Sequence, residues 1–441
     1  MEADILTSFE VEHYVRGLEE IDVREYASPK WNRQHEVIYK LNLQSHRNAR
    51  AREDEYVKEA VVMNEKMRTL IYDLIVSEVW KANVLPLCHQ EMFALSSVRS
   101  YMLIYHEGVV ANLLEILLYH RTSCEEAGDY LIDVVDWAYR KLIKITQVNE
   151  TAERLTGEMS RAEELEHQLK ELEFSMGISS ISIIRFISDH MEGMTLALVQ
   201  HLVEQCDIFC VLVPLMEMKP WIRNKKGGKM IFEDQQWRVL RDEAKIPQVE
   251  AQIWLIIYNL FMNQDVRSKY ELTSYRKNNI LRIRKFLNEV VIDQIPVLSQ
   301  LLRALEELSI VGDTTIQSGI SAFVIQQLPE LYQRISAGKN WREIAEYQKS
   351  NFLIENDETR KADMQLLMAG IEEILDDPIC SVCSAPASKR CSKCKSQWYC
   401  SRKCQVSAWK THKIVCESLS EEISKKETQN AKPKSKIEEL D

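Results

Sequence analysis

The sequence predicts a mainly α protein, with an irregular armadillo- or HEAT-like helical body followed by a small cysteine-rich module. Three observations support this fold class. First, the 441 residues include only 12 glycines and 10 prolines, whereas strand-rich folds need many more turn residues. Second, apolar residues recur at helical spacing along most of the chain. Third, seven cysteines and one histidine fall within 37 residues near the C-terminus.

The helical body is expected to span residues 1–376. Within 64–81, apolar side chains fall at i, i+3, i+4, i+7 and i+8, which gives one broad apolar face. Pairs of such segments recur about every 40 residues, as in armadillo and HEAT repeats. No repeat consensus is legible, so an irregular helical bundle stays open as the alternative. The paired segments are 107–120 with 126–145, 178–190 with 194–216, and 250–264 with 280–306.

Three segments depart from this pattern. Residues 151–176 carry a narrow leucine and methionine stripe on an otherwise charged helix, which predicts a helix that touches one neighbour. Residues 222–247 contain the pair Gly227-Gly228 and two short β-prone runs, which predict a hairpin insertion. Residues 417–441 are charged and lack aromatic side chains, so we expect a disordered tail.

Composition, charge and apolar stretches limit the class of protein to which the chain can belong. The formal net charge is −11 and 45% of the residues are hydrophobic, which is ordinary for a soluble globular protein. The N-terminal segment is acidic and does not have the pattern of a secretory signal. The longest apolar stretch, 209–216, is too short to span a bilayer. We therefore expect an intracellular protein without a transmembrane segment.

The cysteine-rich module has the ligand chemistry of zinc. Its order is C-x2-C-x7-C-x2-C-x5-C-x3-C-x7-H-x3-C, and eight such ligands are what two tetrahedral zinc ions need. Because protein fills every position, the ions are expected to be structural and not catalytic. Spacing alone leaves open which pairs share an ion. The candidate ligands are Cys380, Cys383, Cys391, Cys394, Cys400, Cys404, His412 and Cys416.

Two other interpretations of this module are disfavoured. A disulfide set would need an oxidising compartment and an even number of cysteines. Nucleic-acid binding would need a strong positive field. The module has eight basic and no acidic residues, but seven thiolates and two zinc ions reduce its charge to about +5. Since the rest of the chain is strongly acidic, we expect no nucleic-acid partner.

The module resembles the MYND zinc finger, since SQWYC ends at the fifth ligand and C-Q-x3-W-x2-H-x3-C closes it. The resemblance implies interleaved ions, one held by Cys380, Cys383, Cys400 and Cys404 and the other by Cys391, Cys394, His412 and Cys416. It also implies that the finger binds short proline-containing peptides through Ser392, Gln405 and Trp409. From the residues alone, Trp409 could instead brace the core, and Ser392 and Gln405 could simply face solvent. Ala408 replaces an acidic residue common in the family, which leaves the peptide preference open.

No catalytic constellation is recognisable. Some MYND proteins carry a methyltransferase domain, but the Asn-His pair which that fold needs does not occur. Phosphate-binding, dinucleotide-binding, serine-hydrolase and zinc-protease motifs are also missing from the sequence. Cys206 and Cys210 lie near His201, and we interpret them as ordinary packing residues.

Longer blocks, including WNRQHEVIYKLNLQ (31–44), AGDYLIDVVDWAYRKL (127–142) and PWIRNKKGGK (220–229), resemble a family of MYND-finger proteins. That family comprises cytoplasmic factors for the preassembly of axonemal dynein arms. The resemblance implies three kinds of protein partner: a leucine-rich-repeat dynein assembly co-factor, Hsp90-type chaperone machinery and the axonemal dynein chains. It implies a cytoplasmic location, with the centrosome or centriolar satellites of ciliated cells as further sites.

We therefore expect a non-enzymatic adaptor for ciliary motility, with a helical body that holds clients and a finger that docks partner peptides. The alternative hypothesis is a nuclear transcriptional corepressor adaptor, because other MYND modules recruit corepressors. A second alternative is an unrecognised methyltransferase.

Overall fold

The computed structural model describes the body over residues 5–88, 97–147, 161–225, 228–310 and 329–352. In the C-terminal module it describes residues 380, 382–383, 387, 389–391, 398–409, 412–413 and 416. The chain divides into two compact units, Met1–Asp363 and Met364–Asp441. The expected tail, 417–441, lies outside the described residues.

Helices dominate the first unit, which confirms the predicted mainly α class. The first group of α-helices is α1 (Ser8–Arg16), α2 (Pro29–Ala51), α3 (Tyr56–Met63), α4 (Met67–Asn83), α5 (Ser97–Leu118), α6 (Arg121–Ala127), α7 (Leu131–Thr146) and α8 (Arg161–Asp189). The next group is α9 (Leu196–Gln200), α10 (Ile208–Met218), α11 (Gln248–Met262), α12 (Gln264–Lys269), α13 (Ser274–Leu281), α14 (Glu289–Gln294), α15 (Leu298–Ile310), α16 (Leu331–Ser336) and α17 (Trp341–Asn351).

Local side-chain chemistry fixes where several helices begin. The Thr7 hydroxyl accepts the Glu10 N–H, and the Glu10 carboxylate accepts the Thr7 N–H at 2.8 Å, so α1 opens with a capping box. Ser28 caps α2 by accepting the Trp31 N–H at 3.1 Å. Pro29 follows at the first helical position, where no N–H partner is needed.

Helix α8 is the centre of the body, because it packs against α5, α7 and α11. Leu165, Leu172 and Met176 of the predicted stripe are buried. A side chain in place of Gly177 would collide with Ile145 of α7, so glycine permits the close approach of these helices. Most of its charged residues are exposed, as expected for a helix flanked by solvent. The prediction of a single neighbour is nevertheless wrong, because Glu173 pairs with Lys81 of α4 and Lys141 of α7.

A buried cluster of charges joins four helices. The Glu107 carboxylate on α5 contacts Nζ of Lys141 on α7 at 2.7 Å and also contacts Nζ of Lys81 on α4. Trp137 Nε1 donates to Glu107 at 2.8 Å, and Glu173 on α8 lies 3.3 Å from both lysines. Burial acts to raise the pKa of Glu107, but the two ammonium groups outweigh it and lower that pKa. The cluster is thus two carboxylates neutralised by two lysines.

The last described helices of the body return to its N-terminal part. Gln348 on α17 accepts a hydrogen bond from Trp80 Nε1 and donates one to the Val23 carbonyl, both at 2.8 Å. At the start of α16, the Leu331 N–H donates to Asp133 on α7 at 2.9 Å. These contacts join helices far apart in the sequence, and they account for the irregularity of the helical body.

A small antiparallel sheet lies in the range expected for the insertion. Its strands β1 (Ile222–Lys225), β2 (Gly228–Glu233) and β3 (Gln236–Val239) lie in the order β1-β2-β3. Asp234 and Gln235 join β2 to β3 with φ values of 47° and 61°, as expected for a two-residue hairpin turn. The sequence suggested one hairpin, whereas the structure has three strands.

One stretch of α5, Ser100–Leu118, is long and apolar enough to cross a membrane, and 67% of it is buried inside the body. A bent pair, Leu196–Gln205 with Ile208–Met218, passes the same test of length and composition when taken as one segment. Core helices of soluble proteins share these properties, so the stretch is weak support for a membrane span.

Replacing Glu107 with glutamine should strongly destabilise the body. The change leaves Lys81 and Lys141 buried with one carboxylate between them, and breaking a buried ion pair costs about 3–5 kcal/mol. Glu12→Gln is the control, because Glu12 pairs with Arg16 on the exposed face of α1 and such pairs contribute about 1 kcal/mol or less. Urea unfolding followed by circular dichroism measures both. Equal losses in the two variants would contradict a stabilising role for the buried cluster.

The contribution of His46 to the stability of the body should fall as the pH falls from about 6.5 to about 4. Burial, helped by the charge of Arg50, lowers the pKa of His46 to about 4, although a hydrogen bond with Asn112 opposes the shift. In this window the unfolded chain binds a proton at His46 that the folded chain does not. His46 therefore favours the unfolded chain on acidification, by up to about 1.4 kcal/mol per pH unit.

His46→Gln should flatten this dependence of unfolding free energy on pH. His13→Gln on exposed α1 is the control, and it should leave the slope unchanged because that ring stays in water in both states. Urea unfolding at pH 7, 6 and 5 gives the slopes, and a His46→Gln slope equal to that of the parent chain would refute the assignment.

Candidate metal centre

A two-stranded ladder organises the C-terminal module. Strand β4 (Lys389–Arg390) pairs antiparallel with β5 (Trp398–Tyr399). Cys391 follows β4 and Cys400 follows β5. Because antiparallel strands run in opposite directions, these two cysteines extend from opposite ends of the ladder. They are thereby placed in different donor groups.

The first donor group joins sulfur atoms from distant parts of the module. The Cys383 sulfur lies 3.4 Å from that of Cys400 and 3.9 Å from that of Cys404, and the latter two are 3.6 Å apart. Cys380 completes the group, and all four sulfurs lie within 4.8 Å of one another. Cys404 lies in the first turn of the finger helix, residues 402–409, one turn after Cys400.

The second donor group combines two thiols and an imidazole. Nε2 of His412 lies 3.4 Å from the Cys391 sulfur, which lies 3.8 Å from the Cys416 sulfur. All three side chains are buried, and their donor atoms lie within 4.8 Å of one another. Cys394, the fourth ligand implied by the family resemblance, lies outside the described residues, as does Ser392.

The spacing of these donors is that of zinc ligands. With Zn–S near 2.3 Å and Zn–N near 2.0 Å, two thiolates on one tetrahedral ion lie about 3.8 Å apart, and a thiolate and an imidazole nitrogen about 3.5 Å apart. The close donor contacts in both groups span 3.4–3.9 Å. Disulfide bonding would bring sulfurs to about 2.05 Å, and no two of the described cysteines form a disulfide. The geometry therefore supports zinc binding.

At Cys380 and His412 the electrostatic surroundings favour the forms that bind metal. At Cys400 a hydrogen bond with Cys383 acts to lower the pKa, but those with Cys404 and Cys380 outweigh it and raise that pKa. Burial acts to raise the pKa of the Cys380 thiol, but backbone N–H groups of Cys400, Val382 and Cys383 donate to its sulfur and lower that pKa to about 6. These hydrogen bonds stabilise the thiolate, which is the metal ligand. Burial lowers the pKa of His412, so its imidazole is neutral near pH 7 and offers a lone pair.

Two of the three residues expected to bind peptide, Gln405 and Trp409, lie on the finger helix. Gln405 is half-buried, and Trp409, one turn later, is 40% exposed with its ring centroid 5.9 Å from that of His412. Val406 is 67% exposed and precedes Trp409 by three residues, so the two share a face. Sequence reasoning missed Val406, although its i, i+3 spacing to the tryptophan was the available signal. A peptide-binding role for Ser392, Gln405 and Trp409 stays a prediction.

Removing one ligand should release zinc from the finger. Cys400→Ser replaces a thiolate of the first group with a hydroxyl, which is a poor zinc ligand at neutral pH. We expect the purified chain to lose at least one zinc ion, measured by inductively coupled plasma mass spectrometry. Cys124→Ser is the control, since that buried thiol donates only to the Leu118 carbonyl and serine preserves the contact. Unchanged zinc content in Cys400→Ser would contradict the ligand assignment.

Comparison with known proteins agrees with this geometry. Residues 380–416 match the family model of the MYND finger. The chain is 28% identical over 436 residues to the protein named zinc finger MYND domain-containing protein 10 homolog in Drosophila melanogaster, which covers 91% of this chain and 97% of that protein. No solved structure matches the chain significantly.

Two further relatives match over short stretches. Ubiquitin carboxyl-terminal hydrolase 19 of Arabidopsis thaliana is 49% identical over 47 residues, which are 10% of this chain and 7% of that protein. Tudor domain-containing protein 1 of Homo sapiens is 34% identical over 101 residues, or 22% of this chain and 8% of that protein. The chain thus carries a MYND finger at residues 380–416, and along nearly its whole length it is similar to zinc finger MYND domain-containing protein 10 homolog.

Proposed function

We propose that this protein is a non-enzymatic adaptor that acts in the cytoplasmic preassembly of axonemal dynein arms, with the finger as a docking point for partner peptides. The observation that carries the proposal is the similarity along 91% of the chain to a MYND domain-containing protein 10 homolog, together with a finger whose donor groups are made of protein side chains. A MYND finger suggests protein–protein interaction.

The proposed role of zinc is structural. The first donor group offers four thiols, so one tetrahedral ion bound there would have no position left for water or substrate. The second group offers two thiols and an imidazole, and Cys394 would supply the fourth ligand of a second ion. Two ions held in this way would fold the finger and take no part in chemistry, which is consistent with an adaptor.

The exposed side of the finger helix supports a docking role. Trp409 and Val406 present apolar surface to solvent beside half-buried Gln405. A large aromatic side chain next to an amide can anchor an extended peptide, because the ring buries apolar area and the amide hydrogen-bonds the peptide backbone. Ser392 would add a further polar contact to the same groove.

The dynein role rests on the family resemblance of the sequence blocks in the body. In this proposal the body holds axonemal dynein chains, and the finger recruits a leucine-rich-repeat assembly co-factor and Hsp90-type chaperone machinery. The protein would then act in the cytoplasm of ciliated cells, with the centrosome or centriolar satellites as further sites. A nuclear corepressor adaptor would use the same finger in another compartment.

Trp409→Ala should weaken capture of the leucine-rich-repeat co-factor while leaving zinc content unchanged. Loss of an aromatic anchor at the centre of an interface costs about 2 kcal/mol or more, which corresponds to about 30-fold in Kd. Ser407→Ala is the control, because Ser407 is exposed and lies about 160° around the same helix from both Gln405 and Trp409. Binding of the purified co-factor is measured by isothermal titration calorimetry, alongside zinc content.

Two outcomes would oppose the proposal. If Trp409→Ala also loses zinc, Trp409 braces the core of the finger and is not a peptide anchor. If the tagged chain in multiciliated cells is enriched in the nucleus, and axonemal dynein chains do not co-purify with it, the corepressor alternative replaces dynein preassembly.

A further inference from the structure

Another cluster of metal-binding side chains lies in the helical body. The donor atoms of Asp136 on α7, His201 and Cys206 all lie within 4.8 Å of one another. The side chains of His201 and Cys206 are buried, whereas that of Asp136 is 24% exposed. The cluster is therefore at the margin of the core, with its carboxylate side accessible from solvent.

A π turn brings two of these side chains together. Residues His201–Gln205 form one π turn between α9 and α10, and the Cys206 N–H donates to the His201 carbonyl at 2.9 Å. In an α-helix, residues five apart point about 140° away from each other. The wider π turn closes an i to i+5 hydrogen bond and aligns them. Such turns are rare and are frequent at functional sites.

The third side chain is oriented by a buried ion pair. Arg140, one turn after Asp136 on α7, contacts Oδ2 of Asp136 and also holds both carboxylate oxygens of Glu78, at 3.0 and 2.6 Å. Oδ1 of Asp136 is left directed at the His201 ring, 3.5 Å from Nε2. A carboxylate fixed through one oxygen, with the other directed at a donor cluster, is the usual arrangement of a metal ligand with an outer hydrogen-bond partner.

Ordinary hydrogen bonding accounts poorly for this arrangement. Nε2 of His201 lies 3.5 Å from the Asp136 oxygen and 3.4 Å from the Cys206 sulfur, while Nδ1 has no hydrogen-bond partner in the described part of the structure. If Nε2 is protonated, it has one hydrogen for two neighbours, and 3.5 Å is long for a bond between nitrogen and oxygen. If Nε2 is unprotonated, it can accept from the Cys206 S–H, but it then faces a carboxylate oxygen that has no hydrogen to donate. The polar contacts of the ring thus converge on a single nitrogen.

Zinc coordination accounts for the same distances. On a tetrahedral zinc ion, an imidazole nitrogen lies about 3.4 Å from a carboxylate oxygen and about 3.5 Å from a thiolate. The finger supplies an internal standard, since Nε2 of His412 lies 3.4 Å from the Cys391 sulfur, the same separation as between His201 and Cys206. The carboxylate and thiolate charges would balance a divalent cation, and Glu78 offsets the adjacent Arg140.

We propose that Asp136, His201 and Cys206 form a zinc-binding site in the helical body, separate from the finger. The three side chains supply oxygen, nitrogen and sulfur ligands, and the fourth position faces the solvent-accessible side of Asp136. A metal ion at this point would tie α7 to the π turn between α9 and α10. The site goes beyond the adaptor role, which depends on the finger.

The test compares zinc stoichiometry in full-length variants. Each protein is purified in zinc-replete buffer, dialysed against metal-free buffer and analysed by inductively coupled plasma mass spectrometry. We expect Cys206→Ser to carry one zinc ion fewer per chain than the parent protein. Cys210→Ser is the matched control, because Cys210 is a half-buried thiol four residues later that is not part of the donor group, and it should keep the full count.

A second variant keeps the test decisive if Cys206→Ser does not fold. Asp136→Asn preserves the shape of the side chain but removes the anionic ligand, and it should also reduce the count by one, or the zinc affinity of that site by about 10-fold or more. Zinc binding is measured by titration with a chelating competitor. The proposal is overturned if Asp136→Asn carries as much zinc, and as tightly, as the parent protein and Cys210→Ser. The finger ligands are intact in all of these variants, so the result is independent of the docking role.

Discussion

The finger depends on one interaction, which is the coordination of a metal across a β ladder that has only two residues in each strand. Among the described residues of the finger, the buried apolar cluster consists of Cys380, Ala387, Cys391, Tyr399 and Cys416, and of these only Ala387 and Tyr399 are not candidate ligands. Such a cluster cannot offset the conformational entropy of ordering the chain. A structural zinc supplies about 10–16 kcal/mol of apparent binding energy, most of which acts as folding energy. The ligand Cys404 lies on the finger helix that carries Gln405 and Trp409, so metal binding would also position the proposed docking surface.

The body is stabilised differently from the finger. Its size allows an ample hydrophobic core, and buried polar groups specify how its helices pack together. Glu107 meets lysines from α4 and α7, and Glu173 brings in α8. Removing these groups from water is expensive, and the cost is offset only when all partners are in place. We hypothesise that the cluster fixes the register of the four helices. Measuring near-ultraviolet circular dichroism of a variant with all four groups replaced by apolar residues tests this, since an unchanged spectrum would reject it.

Much of the fold was predictable from the sequence because the signals are local. Periodicity indicated helices, and Gly227-Gly228 with the β-prone runs indicated strands near 222–247. The neighbours of α8 were not predictable, since its charged residues suggested a solvated helix. Glu173 is the exception among them, and its partners, Lys81 and Lys141, lie 92 and 32 residues away in the sequence. The hydrogen bonds of Gln348 with Val23 and Trp80 were equally unpredictable. No local sequence pattern specifies a hydrogen bond between residues that are 268 or more positions apart.

The two kinds of donor group differ in what the sequence can reveal. Zinc ligands in the finger come as close pairs, because a short module must supply four ligands for each ion from few residues. Their spacing is therefore recognisable in the sequence. In the body, Asp136 lies far from His201 in the sequence. His201 and Cys206 are five residues apart, and in an α-helix two residues at that spacing lie on different faces. Sequence reasoning therefore considered Cys206 and Cys210 at i, i+4 near His201 and interpreted them as packing residues. In the structure the π turn instead brings His201 and Cys206 together at i, i+5. Donor separations near 3.5 Å, the same in the finger and in the body, are the physical criterion that both groups share.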